Sequence, residues 1–121
     1  NYINNNQLTE DVILTGFLPN PYPLLKTSDC LLVSSYSEGF PTVIVEALYL
    51  GIPVVTTPVG GTEELIQEGE NGYISDYSPE IYAKRINDIL SNPIKKSTIH
   101  KGIADLTVEE WTKKIQTTLL K

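Results

Sequence analysis

Short apolar runs alternate with segments of helical periodicity along the chain. Runs that are apolar or β-branched and stop at glycine or polar residues predict strands at 12–15, 30–34, 53–57 and 72–75. Apolar residues at helical spacing predict helices at 21–28, 42–50, 62–67, 78–91 and 107–120. Strands that are apolar almost throughout and alternate with helices are typical of a parallel sheet. The pattern therefore predicts an α/β fold with helices on both faces of that sheet.

Capping residues mark several of the predicted helix ends. Ser78 followed by Pro79 is typical of an N-cap and a first helical position. Asn92-Pro93 stops the same helix, because proline cannot continue it. Thr42 is a natural N-cap for the helix that Gly51 closes at its other end. These signals predict the ends of two helices, which periodicity alone does not define.

Ligands bind to parallel sheets of this kind outside the carboxyl ends of the strands. The loops that follow the predicted strands are therefore the segments in which chemistry is expected. They comprise residues 16–22, 34–41, 57–62 and 75–78.

The composition fits one globular domain over residues 1–121. Hydrophobic residues make up 40% and charged residues 20%, which allows one buried core. No apolar run approaches the ~18 residues of a membrane span, and no basic and apolar leader opens the chain. The single cysteine, Cys30, excludes an internal disulfide and a cysteine metal cluster. We therefore expect a cytoplasmic protein, and the Asn-rich start without methionine suggests an excised piece.

The net charge of −6 is unevenly distributed along the chain. Residues 1–83 carry one lysine, Lys26, against eleven acidic residues, whereas residues 84–121 carry eight basic and four acidic residues. The acidic first part argues against a nucleic-acid groove, which needs a basic surface. The basic second part is suited to peripheral contact with a membrane or a partner, or it forms an ordinary solvated helix face.

An acidic residue interrupts the most apolar predicted helix. The helix that begins at Thr42 is apolar nearly all round, which predicts a buried helix, yet it contains Glu46. A carboxylate in such a place is costly without hydrogen-bond donors, and no basic residue lies within a turn of it. The vicinal hydroxyls of a ribose would supply donors to both oxygens, and a nearby backbone amide would be an ordinary structural alternative.

A second acid, Glu38, precedes the same helix. Gly39 allows close approach of the backbone to a ligand. The first-turn amides, from Val43 onward, lack partners inside the helix, and together with the helix dipole they form a site for phosphate. Glu38 would then accept hydroxyls of a group attached to that phosphate, or it is an ordinary loop acid.

The segment that contains both acids resembles a known family. Residues 35–47 read Ser-x-x-Glu-Gly-Phe-Pro-x-x-x-x-Glu-Ala, which is similar to the E-x7-E motif of retaining glycosyltransferases with the GT-B fold, family 4, also called group 1. Further stretches resemble family motifs in the same order: V-x-F-x-G at 12–16, G-x-P-V-V at 51–55, G-G-x-x-E at 60–64 and N-G at 71–72. The fold that the resemblance implies is a Rossmann-like parallel sheet, part of the C-terminal, nucleotide-sugar-binding domain of a GT-B enzyme.

The resemblance also implies roles for individual residues. Glu46 would bind the ribose of a nucleotide diphosphate sugar, and Glu38 would be the catalytic residue that contacts the transferred sugar. The backbone that follows Glu38 and the amides after it would meet the sugar and the diphosphate: Gly39, Phe40, Pro41, Thr42 and Val43. A turn after the first predicted strand would line the base: Gly16, Phe17 and Leu18.

The implied enzyme is a retaining hexosyltransferase that uses a UDP- or GDP-sugar and needs no metal or other cofactor. Its acceptor would be a glycan or a lipid-linked molecule, bound through an N-terminal domain, with contact at the inner face of the membrane. Family members also carry an Arg and a Lys that grip the diphosphate, and this chain lacks that upstream part. We therefore expect at most weak nucleotide binding and no transfer by these 121 residues alone.

Two other functions remain open from the sequence. A nucleotide-sugar epimerase of the same architecture would bind the same ligand, but it does not require an acidic pair with this spacing. A non-catalytic nucleotide-sugar-binding module would bind UDP or GDP unaided and would transfer nothing.

Overall fold

Three parallel strands form the sheet at the centre of the structure, a computed structural model that describes residues 1–37 and 42–99. The strands lie side by side in chain order: β1 (Leu31–Val33), β2 (Val54–Thr56) and β3 (Gly72–Ile74). Helices accompany them at α1 (Tyr2–Asn5), α2 (Tyr22–Lys26), α3 (Thr42–Tyr49), α4 (Thr62–Leu65) and α5 (Pro79–Ser91), and residues 96–99 at the end of the described range are helical as well. The predicted α/β class with a parallel sheet is confirmed.

The two faces of the sheet are covered by different helices. On one face, α3 packs against the strands, because its buried side chains share a core cluster with Val33 and Val54. The next residue of β2, Val55, points to the other face, where its register partner Tyr73 lies under the guanidinium of Arg85 of α5. Since β2 has helices on both sides, all three of its residues are buried. The prediction of helices on both faces is confirmed.

One side of α3 contributes a stripe of side chains to the core. Ile44, Ala47 and Leu48, at the spacing of one helix face, have no exposed surface. The outer side of α3 is open to solvent at Val43 and Tyr49. The sequence prediction that this helix is buried nearly all round is therefore wrong, because within the described residues only its sheet-facing side is covered.

Local capping signals produce the predicted ends of α5. Ser78 caps the helix by accepting a hydrogen bond from the amide of Ile81, Pro79 takes the first position, and Asn92 is the C-cap. After α3, Gly51 has the positive φ of +79° that a C′ glycine provides. α3 itself begins at Thr42, so Thr42 is its first residue rather than the N-cap that we predicted.

Two predicted elements differ from the structure. Residues 12–15 form no strand, and their side chains are exposed, Ile13 by 82%. The run has strand composition, but a strand requires a neighbour for its backbone hydrogen bonds, and no described segment pairs with it. Helix α4 is shorter than predicted because the chain turns to extended geometry at Ile66. The helix predicted at 107–120 lies outside the described residues.

The end of the sheet depends on a close backbone contact at β3. A Cβ on Gly72 would overlap the carbonyl of Val54 in the neighbouring strand. Glycine at this position therefore allows β3 to pair with β2.

Among the helices within the described ranges, none combines the length and the apolar character that crossing a bilayer would require.

Candidate functional site

A cavity opens at the carboxyl edge of the sheet. Its volume is about 300 Å³, and the residues that follow all three strands line it. Ser34 comes after β1, Thr57 after β2 and Asp76 after β3. Because parallel strands point the same way, three segments that are far apart in the sequence meet at one edge.

Two stacked tyrosines form one aromatic wall of this cavity. The rings of Tyr36 and Tyr77 are stacked, with centroids 4.9 Å apart and an interplanar angle of 19°. Tyr36 remains 81% exposed, so most of its surface is open to solvent. Beside the rings, Asp76 uses one carboxylate oxygen to accept the amide of Ser78. An aromatic wall with a few polar groups is suited to a small polar organic ligand.

The wall of the cavity on the α5 side is attached to the strands by Tyr82. Its hydroxyl lies 3.0 Å from the carbonyl oxygen of Val33 and 2.9 Å from that of Val55, so its proton is shared between two strands. Burial raises the pKa of Tyr82 to about 12. This phenol is therefore neutral at physiological pH and acts as a structural donor.

Glu46 lies on the other side of the sheet from this cavity, on α3. The hydroxyl of Tyr22 donates to Oε1 of Glu46 over 3.0 Å. The carboxylate is half-buried, and its hydrogen bond with Tyr22 is exposed to solvent. The bond and the negative charge of Glu46 raise the pKa of Tyr22. A hydroxyl from outside the helix thus provides a donor that the sequence analysis expected from a ligand.

Tyr22 is the site residue that sequence reasoning missed. It lies 24 positions from Glu46 and belongs to a different helix, so no periodicity connects the two. The one available signal was its place at the end of the loop 16–22, which the parallel topology had indicated as a ligand-binding segment.

The predicted site residues fall into three groups. Thr42 and Val43 lie exposed in the first turn of α3, four and three residues before the half-buried Glu46. The turn predicted to line the base is exposed, with Gly16 at a φ of +66° and Phe17 exposed by 90%. The remaining predictions, Glu38, Gly39, Phe40 and Pro41, lie outside the described residues.

Within the described residues, neither a metal site nor a reactive thiol accompanies the cavity or Glu46. Within residues 1–37 and 42–99, no three His, Cys, Asp or Glu side chains are placed to hold a metal ion together. Cys30 is half-buried, and desolvation raises its pKa to about 11, so it is a poor nucleophile at neutral pH.

Comparison with known proteins identifies relatives of this architecture. A family model described as "Glycosyl transferases group 1" matches residues 1–104. The chain is 42% identical over 87 residues to spore coat protein SA of Bacillus subtilis, which covers 69% of this chain and 23% of that protein. It is 32% identical over 120 residues to an uncharacterized glycosyltransferase of Methanocaldococcus jannaschii, covering 98% of this chain and 29% of the relative. The chain thus spans about a quarter of the length of these relatives.

A solved structure shares the fold. Anabaena HepE in complex with UDP superimposes with a TM-score of 0.76 at 28% identity, covering 95% of this chain and 33% of that one. The described sheet and helices therefore correspond to part of a GT-B structure, which confirms the predicted Rossmann-like fold.

Proposed function

The chain belongs to the glycosyl transferases group 1 family, and from this premise we propose that it is the donor-binding part of a retaining glycosyltransferase. In that role it binds a nucleotide diphosphate sugar, and the complete enzyme transfers the sugar with retention of its anomeric configuration. The observation that carries the proposal is the environment of Glu46. Its half-buried carboxylate accepts a hydroxyl from another part of the chain, as it would accept the hydroxyls of a ribose.

In this proposal the two acids bind different parts of the donor, and the segments around them bind the rest. Glu46 holds the ribose, and Glu38, separated from it by seven intervening residues, contacts the transferred sugar. The first turn of α3 is solvent-accessible at Thr42 and Val43, which supports a diphosphate placed at its amino end. Anions are favoured there by the helix dipole and by first-turn amides. In the turn proposed to line the base, Gly16 and Phe17 are exposed and Leu18 is half-buried, which supports access of the base to this turn.

Neighbouring structures support the donor class. HepE was solved in complex with UDP, and related structures of the same protein hold UDP with glucose or UDP-glucose. We propose a UDP- or GDP-sugar for this chain as well, without a metal cofactor. The acceptor in this proposal is a glycan or a lipid-linked molecule bound by a further domain, at the inner face of the membrane.

Substitution of the two acids tests the proposal in the longest form of the protein that its gene encodes. Glu46→Ala should weaken binding of the nucleotide diphosphate about 10- to 100-fold, because it removes hydrogen bonds to a charged acceptor. Glu38→Gln should abolish most transfer while the nucleotide still binds. Calorimetry with UDP and GDP, and a transfer assay with their sugars in excess EDTA, measure the two effects. Glu70→Ala, which removes an exposed acid in a loop, is the matched control.

Product analysis separates this proposal from its competitors. Nuclear magnetic resonance of the product should show a new glycosidic bond with the donor's anomeric configuration. An epimerised nucleotide sugar would indicate an epimerase instead. Binding without any turnover by the longest form would indicate a non-catalytic module. Loss of transfer in EDTA would refute metal independence alone.

A further inference from the structure

The contact between Tyr22 and Glu46 joins two segments whose backbones are constrained in different ways. On one side, Glu46 projects from α3, which is anchored in the core by the fully buried Ile44, Ala47 and Leu48. Because these anchors fix the position of the helix, the backbone at Glu46 has little freedom. The direction of its carboxylate then depends on the flexible side-chain torsions and on what binds it.

On the other side, the backbone of Tyr22 is constrained from three directions. Pro21 and Pro23 flank it, and each proline ring fixes its own φ. The amide of Tyr22 donates to Oδ1 of Asn20 over 3.3 Å. Tyr22 is thus presented at the start of α2 by a backbone segment with few alternative conformations.

The Tyr22 hydroxyl occupies only one of the acceptor positions of the Glu46 carboxylate. An ionised carboxylate has two oxygens and accepts about four hydrogen bonds, and Tyr22 occupies one position on Oε1. The group is half-buried rather than enclosed, so a ligand can reach it. The hydrogen bond to Oε1 restricts rotation of the carboxylate, and the second oxygen stands next to this restrained one.

From this geometry we propose that Tyr22 is a positioning residue that orients Glu46 toward the ribose of the donor and thereby sets the preference for ribose over deoxyribose. This inference rests on the proposed function, since it takes Glu46 as the ribose-binding acid. Tyr22 remains bonded to Oε1 when the nucleotide is present, and the ribose hydroxyls donate to the acceptor positions that Tyr22 leaves. Loss of the Tyr22 hydroxyl allows the carboxylate to rotate away from the diol.

The experiment compares a nucleotide with its 2′-deoxy analogue in the longest form of the protein. UDP and GDP are titrated first, and the tighter of the two is used with its 2′-deoxy form against wild type, Tyr22→Phe, Glu46→Ala and the double variant. Tyr22→Phe should weaken binding of the ribonucleotide about three- to tenfold, the effect of one lost hydrogen bond. The deoxynucleotide should be affected less than twofold, so that the preference for ribose falls. In the Glu46→Ala background, the Tyr22 substitution should have no further effect.

Tyr2→Phe is the matched control, because it removes an exposed phenolic hydroxyl from α1 and should leave both affinities unchanged. Equal weakening of both nucleotides by Tyr22→Phe would show a merely structural role and overturn the inference, as would no weakening at all. Either result, combined with a loss of binding in Glu46→Ala, leaves the proposed function standing. If Glu46→Ala binds like wild type, or if wild type binds neither UDP nor GDP, the ribose role of Glu46 fails and this inference fails with it.

Discussion

Glu46 shows how the surroundings of one side chain depend on residues far along the chain. Its position in an apolar helix indicated a carboxylate in need of donors. The structure supplies one of these donors from Tyr22, and the negative charge of Glu46 then acts on the Tyr22 phenol. The hydrogen bond and the negative charge both favour the neutral phenol, so the pKa of Tyr22 is raised above its ordinary value of 10.0.

Removing the charge of Glu46 should therefore lower the pKa of Tyr22. In Glu46→Gln, the amide no longer repels the phenolate, and its NH₂ group can donate to it, so ionisation of Tyr22 should begin at lower pH than in wild type. The ¹³Cζ chemical shift of Tyr22, followed through alkaline pH, measures this change. Glu70→Gln should leave the Tyr22 titration where it is. An unchanged titration in Glu46→Gln would mean that the two groups are not in contact in solution.

At the scale of elements, the ends of α5 depend on neighbouring residues, whereas its position on the sheet depends on residues far along the chain. Its ends are set by neighbouring residues, since Ser78 caps the first turn and Asn92 ends the last. Its attachment to the sheet is not local, because Tyr82 bonds to carbonyls of β1 and β2 that are 49 and 27 residues away. The carbonyl of Val33 also accepts the amide of Thr57, so it keeps a partner when Tyr82 is changed.

Tyr82→Phe should lower the free energy of unfolding by about 1 kcal/mol near neutral pH, the contribution of one hydrogen bond whose acceptors stay paired. Because the folded-state pKa of about 12 lies above the unfolded value of 10.0, this contribution is complete below pH 10.0 and is lost as pH rises toward 12. Urea unfolding of wild type and variant should thus show a difference that shrinks over this interval. Tyr2→Phe, which changes an exposed phenol, serves as control. A pH-independent difference would contradict the assignment.

At the scale of the whole molecule, charge limits what this chain does by itself. Residues 1–83 contain the proposed donor site but carry one lysine against eleven acids, a net charge of −10. A nucleotide diphosphate adds negative charge to that surface, and such a site needs cations from elsewhere. The chain also spans only about a quarter of the relatives it matches.

The 121 residues alone should therefore show no sugar transfer, whereas the longest form encoded by the gene should be active. The measurement is release of UDP or GDP from the corresponding sugar nucleotides, with a coupled assay for the free diphosphate. The full-length protein with Glu38→Gln provides the inactive reference. Turnover by the 121-residue chain above that reference would refute the expectation.

The sequence by itself determined the features that depend on neighbouring residues. Periodicity and local backbone preference account for the order of elements from α2 to α5, the cap at Ser78, the glycine at 51 and the parallel α/β class. The motif spacing of the two acids was also readable, and their roles stay predictions.

Only the tertiary structure decided which distant segments meet. The run at 12–15 has strand composition but no pairing partner among the described residues, because backbone pairing requires a second strand. The contact of Tyr22 with Glu46 joins helices α2 and α3, and the cavity lies beside α5 on the other face of the sheet. Both features depend on how helices pack together in the folded chain. Such contacts depend on the path of the chain in space, and neither composition nor periodicity encodes that path.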